Sequence, residues 1–249
     1  MFSTELVSYF PRIFRPATIG ADFNVALDRE KPVENIVSDL TDNPNRYGAA
    51  LRRLVSDFRD VADIARETFI EAHTHFFTGL GNRRLFEKTA SEEIRRVGAD
   101  ESRGATVILL DVDKLHAINS AFGYKAGDEF LKLVAQNLDT LISGNDLEAH
   151  IGGDEFAILI TDEAPEKGAQ ITQAVRDLFT DLYFTWGDHS IPVRASVGAY
   201  SLTAGTEYTY SEVMSHADSS LKAEKERRAP ARDALEAQIT DQMPDPHKS

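Results

Sequence analysis

The spacing of apolar and polar positions changes character several times along the chain, and each change predicts an element. Over residues 46–74, Leu51, Leu54, Phe58, Val61, Ala65 and Ala72 recur at spacings of three and four, with Thr68 interrupting the series. That period predicts a long amphipathic helix whose seam either packs on its own domain or pairs with a second copy. Residues 84–97 and 170–182 predict two further helices. Residues 105–110, a run of β-branched residues and Leu bounded by polar positions, predict a strand buried on both faces. Two shorter runs with strand character, 147–150 and 157–160, flank Ile151-Gly152-Gly153-Asp154-Glu155-Phe156. Paired glycines permit φ > 0, so this segment predicts a β-hairpin with two carboxylates at its tip. Residues 114–128 predict a short helix, a glycine-containing turn and a longer helix from about Gly127. Residues 183–186 and 191–197 predict a strand pair joined through Gly187-Asp188.

The apolar run ends in Asp111-Val112-Asp113. Carboxylates at the end of a buried strand sit where open α/β sheets bind ligands. Asp111 and Asp113 either cap the next helix or face a ligand. If the hairpin lies beside this strand, Asp111 and Asp154 approach one another, and a hard divalent cation such as Mg²⁺ is the natural partner for such a pair. Asn119 and Asp128 lie near the ends of the two predicted helices. An amide and a carboxylate can together match the donor edge of guanine. Asp128 could equally cap the helix that follows it, and a cap can still face a pocket.

With these residues in place the chain resembles the GGDEF family of diguanylate cyclases, over residues 77–228. The resemblance begins at Thr78-Gly79-Leu80-Gly81-Asn82-Arg83-Arg84 and continues through Asp111-Val112-Asp113, Asn119, Phe122-Gly123 and Gly127-Asp128. The Gly152 to Phe156 signature is intact, Ser196-Val197-Gly198 is similar to a late family strand, and Ala217-Asp218 with Lys225 fall in the family's final helix. The resemblance implies an α/β (α+β), nucleotidyl-cyclase-like domain, with a central, mostly antiparallel sheet flanked by helices and a helical N-terminal segment before it. It implies that Asp111, the carbonyl of Val112 and Asp154 hold two Mg²⁺ or Mn²⁺ ions, with Glu155 supporting the metals or the attacking hydroxyl. Asn119 and Asp128 would read guanine. The main chain of Lys114 and Leu115, Gly152 and Gly153 of the signature, Lys225 and Arg228 would complete the GTP site. The implied reaction is condensation of two GTP into cyclic di-GMP with release of pyrophosphate. Each protomer would bind one GTP, so a homodimer is expected.

Several positions depart from the family pattern. His75 replaces a leading acid, His116 a basic residue and His150 an arginine. The family's closing arginine falls at Ala229; Arg228, one residue and about 100° of helix rotation away, is the expected substitute. The product-inhibition motif RxxD reads Ser143-Gly144-Asn145-Asp146, without its arginine, so no high-affinity feedback site is expected. A catalytically silent module that binds GTP or a protein partner is the alternative function, and a different cyclic dinucleotide is disfavoured by Asp128.

The net charge of −14 argues against nonspecific nucleic-acid binding, and the lack of Cys excludes disulfides and thiolate metal sites. The seven histidines show no metal-ligand spacing. No apolar stretch reaches the ~18 residues of a membrane span and no signal peptide is evident, so a cytoplasmic protein without membrane contact is expected. The expected organisation is a segment of unknown role (1–46), a connecting helix (47–76) through which a protein partner could act, the GGDEF domain (77–228) and a polar tail (229–249).

Overall fold

The computed structural model describes residues 68, 70, 72–99, 104–142, 144–163 and 165–241. Expectations for residues 1–46 and for most of the connecting helix, with its dimer seam, lie outside them.

Strand β2 (Gly104–Val112) follows from its sequence: every residue after Gly104 is buried, as a two-face apolar run requires. Its side chains alternate between two cores. Ile108, Leu110 and Val112 face one side, and Ala105, Val107 and Leu109 the other. Fully burying a Leu or Ile stabilises by roughly 1.5–3 kcal/mol, so β2 is the strand the domain is built on. The predicted hairpin is present: β3 (Leu147–His150) runs antiparallel to β4 (Glu155–Glu163), with His150 opposite Phe156. A short β1 (Gly81–Asn82) pairs parallel with β3, and β7 (Ala195–Leu202) lies antiparallel to β2. The sheet order is β1-β3-β4-β2-β7, with β1–β3 as its single parallel pairing among the described residues. A central, mostly antiparallel sheet flanked by helices is therefore the fold.

Helices α1 (Arg83–Ala99) and α5 (Tyr210–Arg227) cover one face. The other is covered by α2 (Leu115–Phe122), α3 (Tyr124–Asp139) and α4 (Pro165–Leu178), with the separate hairpin β5 (Tyr183–Trp186) and β6 (His189–Pro192). Asn82 caps α1 by accepting from Leu85 N at 3.0 Å, while its amide donates to Ala72 O at 2.9 Å, tying the incoming chain to the domain. Among the described residues no helix is long and apolar enough to cross a membrane.

Three expectations are corrected. Residues 191–197 are not one strand. The chain breaks at Val193-Arg194, where Val193 N bonds to Leu182 O and Asp113 N to Arg194 O, and the second half joins the main sheet as β7. Helix α3 starts at Tyr124, directly after Gly123 (φ 86), so Asp128 lies one turn inside it and is not its cap. Residues 229–241 are helix α6 (Ala229–Asp241), not a polar tail. Leu235 and Ile239, four residues apart, are buried in the core shared with α2 and α3.

Candidate functional site

The β2–β4 pairing sets the acidic end of the site. Asp111 lies opposite Glu155, and Val112 N donates to Asp154 O at 2.9 Å, so Asp111 and Asp154 are brought to neighbouring positions. Asp111 is buried, and burial pushes its carboxyl above the usual range; Lys225 opposes that shift and the Asp154 charge adds to it. Lys225 Nζ stands 2.5 Å from Asp111 Oδ2. Glu155 is exposed, and its carboxylate meets Arg83 Nη2 at 3.4 Å, while Arg83 Nε donates to Ile151 O at 2.8 Å. Arg83 thus ties α1 to both ends of the signature turn, a contact the sequence did not reveal. No group of three acidic, His or Cys side chains converges among the described residues. An all-oxygen pair, Asp111 and Asp154, with a main-chain carbonyl beside it nonetheless fits Mg²⁺ or Mn²⁺. Such ions commonly use one or two carboxylates and take the rest of their shell from water and substrate phosphates.

Asp113 is not a cap either. The residue before α2 is Lys114, in the left-handed region at φ 66 with no side-chain cap, so the first amides of α2 have no intrahelical partner and no capping side chain. Such a turn is suited to an anion. The Lys114 side chain points elsewhere, to Glu236 at 2.6 Å and Asp233 at 3.6 Å. Asp113 is buried and holds cations: Arg228 Nη1 at 3.0 Å and Arg232 Nε at 2.7 Å, with Ser196 Oγ donating at 3.3 Å.

A cavity of about 240 Å³, with room for a purine base, opens beside this end. It brings together Asn119, Asp128, Leu115, Gly152 and Gly153, which come from three separate segments. Asn119 Oδ1 is buried without a partner. Gly127 lies against it, where a β-carbon would sit 1.9 Å from that oxygen. The cavity's remaining wall includes His75 and His150, two departures from the family pattern that turn out to touch. Their rings stack at 3.9 Å, and His150 stacks in turn on Phe156 at 4.4 Å. Burial, with His75 beside it, lowers the His150 pKa to about 4, so the pair is neutral at pH 7. A larger cavity of about 280 Å³, lined by Arg176, Arg194, Arg228 and Glu224, includes none of Asp111, Asn119, Asp128 and Asp154.

Of the other residues expected at the site, Lys225 meets Asp111 and Arg228 meets Asp113, outside the smaller cavity, whereas the Lys114 side chain turns to Asp233 and Glu236. Arg228 is the one whose placement differs from expectation. It is turned onto Asp113, Ser196 Oγ at 3.2 Å and Ala195 O.

A buried strand ending in a carboxylate, a glycine-rich acidic hairpin beside it and a cavity between α2 and α3 together mark this α/β domain. The family described as "Diguanylate cyclase, GGDEF domain" matches residues 72–230, and the chain belongs to it. Among curated relatives, the uncharacterized protein YhcK of Bacillus subtilis is 33% identical over 139 residues, covering 55% of this chain and 38% of that protein. The probable diguanylate cyclase DgcE of Escherichia coli is 29% identical over 172 residues, 69% of this chain and 15% of the relative. The chain thus spans well under half the length of these relatives. Among solved structures, the coiled coil and GGDEF domain of DgcB from Caulobacter crescentus, in complex with c-di-GMP, superposes with a TM-score of 0.63 at 20% identity. That match covers 72% of this chain and 94% of the other. Diguanylate cyclase SiaD from Pseudomonas aeruginosa, in complex with its activator SiaC, gives 0.60 at 26% identity, covering 86% and 85%.

Proposed function

We propose that the protein is a diguanylate cyclase that condenses two GTP into cyclic di-GMP. The observation that carries this reading is that Asn119, Asp128 and the signature glycines share one cavity beside the Asp111–Asp154 pair. Asn119 and Asp128 would hold guanine by its N1–H and N2–H₂ edge. The α2 amides and Lys225 would hold the triphosphate so that the α-phosphate faces the partner's ribose. Asp111, the Val112 carbonyl and Asp154 would hold two Mg²⁺ or Mn²⁺ ions, which supply activation of the hydroxyl and charge neutralisation. In each transfer the 3′-oxygen bonds to the α-phosphorus, the bond to the bridging oxygen breaks and pyrophosphate leaves. The hydroxyl proton passes to Glu155 or solvent. Two transfers close the ring, so two domains must face each other, and residues 47–76 are proposed to hold that homodimer. Residues 1–76 are the proposed route for a regulatory protein partner; an activator protein is bound in the SiaD–SiaC complex of another diguanylate cyclase. An activity that consumes GTP belongs in the cytoplasm, the compartment proposed here.

The second reading is a silent GTP-binding regulator. The engagement of Arg228 with Asp113 favours it, because that arginine is then lost to the phosphates. Mass spectrometry of products after incubation with GTP and Mg²⁺ or Mn²⁺ separates the two. Cyclic di-GMP formed by the wild type and lost in Asp154→Ala is expected; GTP bound but unconverted would favour the regulator, and unchanged turnover in Asp154→Ala would refute the metal assignment.

A further inference from the structure

The family's closing arginine is missing at Ala229, and Arg228 does not replace it. The chain, however, continues as a helix. After a single-residue break at Arg228, α6 begins, and its first turn brings Arg232 back over the carboxylates, with Arg232 N donating to Arg228 O at 3.0 Å. Arg232 Nε is fixed on Asp113 Oδ1 at 2.7 Å, and its Nη2 stands 3.7 Å from Asp111 Oδ1. Lys225 Nζ flanks the other oxygen of the same carboxylate. Two cations from two helices therefore meet at Asp111.

Lys225, Arg228 and Arg232 bring three positive charges to Asp111, Asp113 and the neighbouring Asp154, so the cluster is balanced and Arg232 stands beside Asp111 with no net negative charge to repel a phosphate. The position is also held firmly. Leu235 and Ile239 bury the far end of α6, and Asp233 and Glu236 pair with Lys114 at the start of α2. A guanidinium fixed through Nε presents its two Nη groups as a fork, the geometry that suits phosphate oxygens. Residue 232 lies beyond the family match, which ends at residue 230.

We propose that Arg232 is a substrate-binding residue that, with Lys225, grips the β- and γ-phosphates of GTP in place of the arginine missing at 229. This assignment rests on the proposed diguanylate cyclase site. The contacts that Lys225 and Arg232 make with Asp111 are ones a triphosphate and its cations can take over.

Titration calorimetry on the full chain, with Mg²⁺ and either a non-hydrolysable GTP analogue or GMP, tests it. Arg232→Gln should weaken the GTP analogue by about tenfold or more and leave GMP within about twofold, the loss of one charge-assisted phosphate contact. Arg232→Lys should recover part of the loss. Equal weakening of both ligands would overturn the assignment, because Arg232 would then act only by steadying Asp113. Should Arg232→Gln fail to fold, Arg232→Lys decides: it keeps a cation on Asp113, and unchanged affinity for the analogue overturns the proposal. A wild type that binds neither ligand refutes the site itself; a wild type that binds both, beside an Arg232→Gln protein that binds the analogue equally well, refutes Arg232 alone.

Discussion

Gly198 lies on β7 where α5 approaches the sheet most closely. A β-carbon there would sit 2.2 Å from Leu221 N, 2.5 Å from Leu221 Cα and 2.7 Å from Ala217 O. All three are helix backbone atoms, so no rotamer change makes room, and α5 must lift by about 1 Å in an interior packed too densely to absorb it. The cost falls at the upper end of overpacking, about 3 kcal/mol. For a domain of this size that lowers Tm by roughly 6–12 °C. The opposing effect has the opposite sign: without a clash, Ala in a strand is more stable than Gly by roughly 0.5–1 kcal/mol. The displacement also reaches the site, since Lys225 lies one helical turn beyond Leu221 and pairs with Asp111. Urea unfolding followed by the fluorescence of the single tryptophan, Trp186, measures the stability change. A Gly198→Ala protein as stable as the wild type, or more stable, refutes the close-approach argument.

Three further outcomes follow from other contacts. Burial and the adjacent Asp139 carboxyl raise the Glu148 pKa to about 7 from 4.5, so the fold binds its proton more tightly than the unfolded chain does. That contribution is present below about pH 4.5 and is lost as pH rises through 7, at most about 3 kcal/mol; Glu148→Gln should flatten the fall in stability between pH 5 and pH 8 in urea titrations, and identical pH slopes would refute it. His150→Arg buries a guanidinium against His75 and Phe156 and should cost about 3 kcal/mol, most of it recovered in thermal melts when His75→Asp is added; a double variant no more stable than the single one counts against the contact. Asp146 is spent inside the domain, accepting from Thr161 N at 2.7 Å and Lys167 Nζ at 2.9 Å, so calorimetry should find no tight cyclic di-GMP site, and submicromolar binding would contradict this.

What could be read in advance was whatever local chemistry decides. The apolar run of β2 permits one placement, and the hairpin stands between two strand-forming segments as read, though neither Gly152 nor Gly153 takes the positive φ expected of it. Gly152 instead makes room for Glu155, whose Oε2 would lie 2.5 Å from a β-carbon there. The ends of the chain's other elements depended on distant partners. Residues 191–197 look like one strand because nothing local records that Asp113 N will claim Arg194 O and bend the chain there. Pro230 sits in the first turn of α6, where proline lacks no needed donor, so it does not end the helical path. With only Leu235 and Ile239 buried, α6 has too narrow a stripe for periodicity to find. Arg232 was invisible for the same reason, since its role exists only once that helix folds back over β2. The His75–His150 stack was half legible: both substitutions stood out, but their contact joins positions seventy-five residues apart in the chain.

The two aspartates of Asp111-Val112-Asp113 illustrate how environment divides one motif between two tasks. They lie two residues apart at the end of β2, and both meet cations brought by α5 and α6. Asp111 stands next to Asp154, and its neutralising partner is a lysine on a flexible stem that a ligand can displace. Asp113 is fully enclosed and gripped by two guanidiniums and a serine, so releasing it would strand a buried charge at several kcal/mol. The first carboxylate is therefore suited to exchange partners with a cation and nucleotide, and the second to fix Arg232 where the triphosphate would lie. Substitutions at the two positions should then differ in kind: at Asp111 they act on the site, and at Asp113 on the helix that completes it.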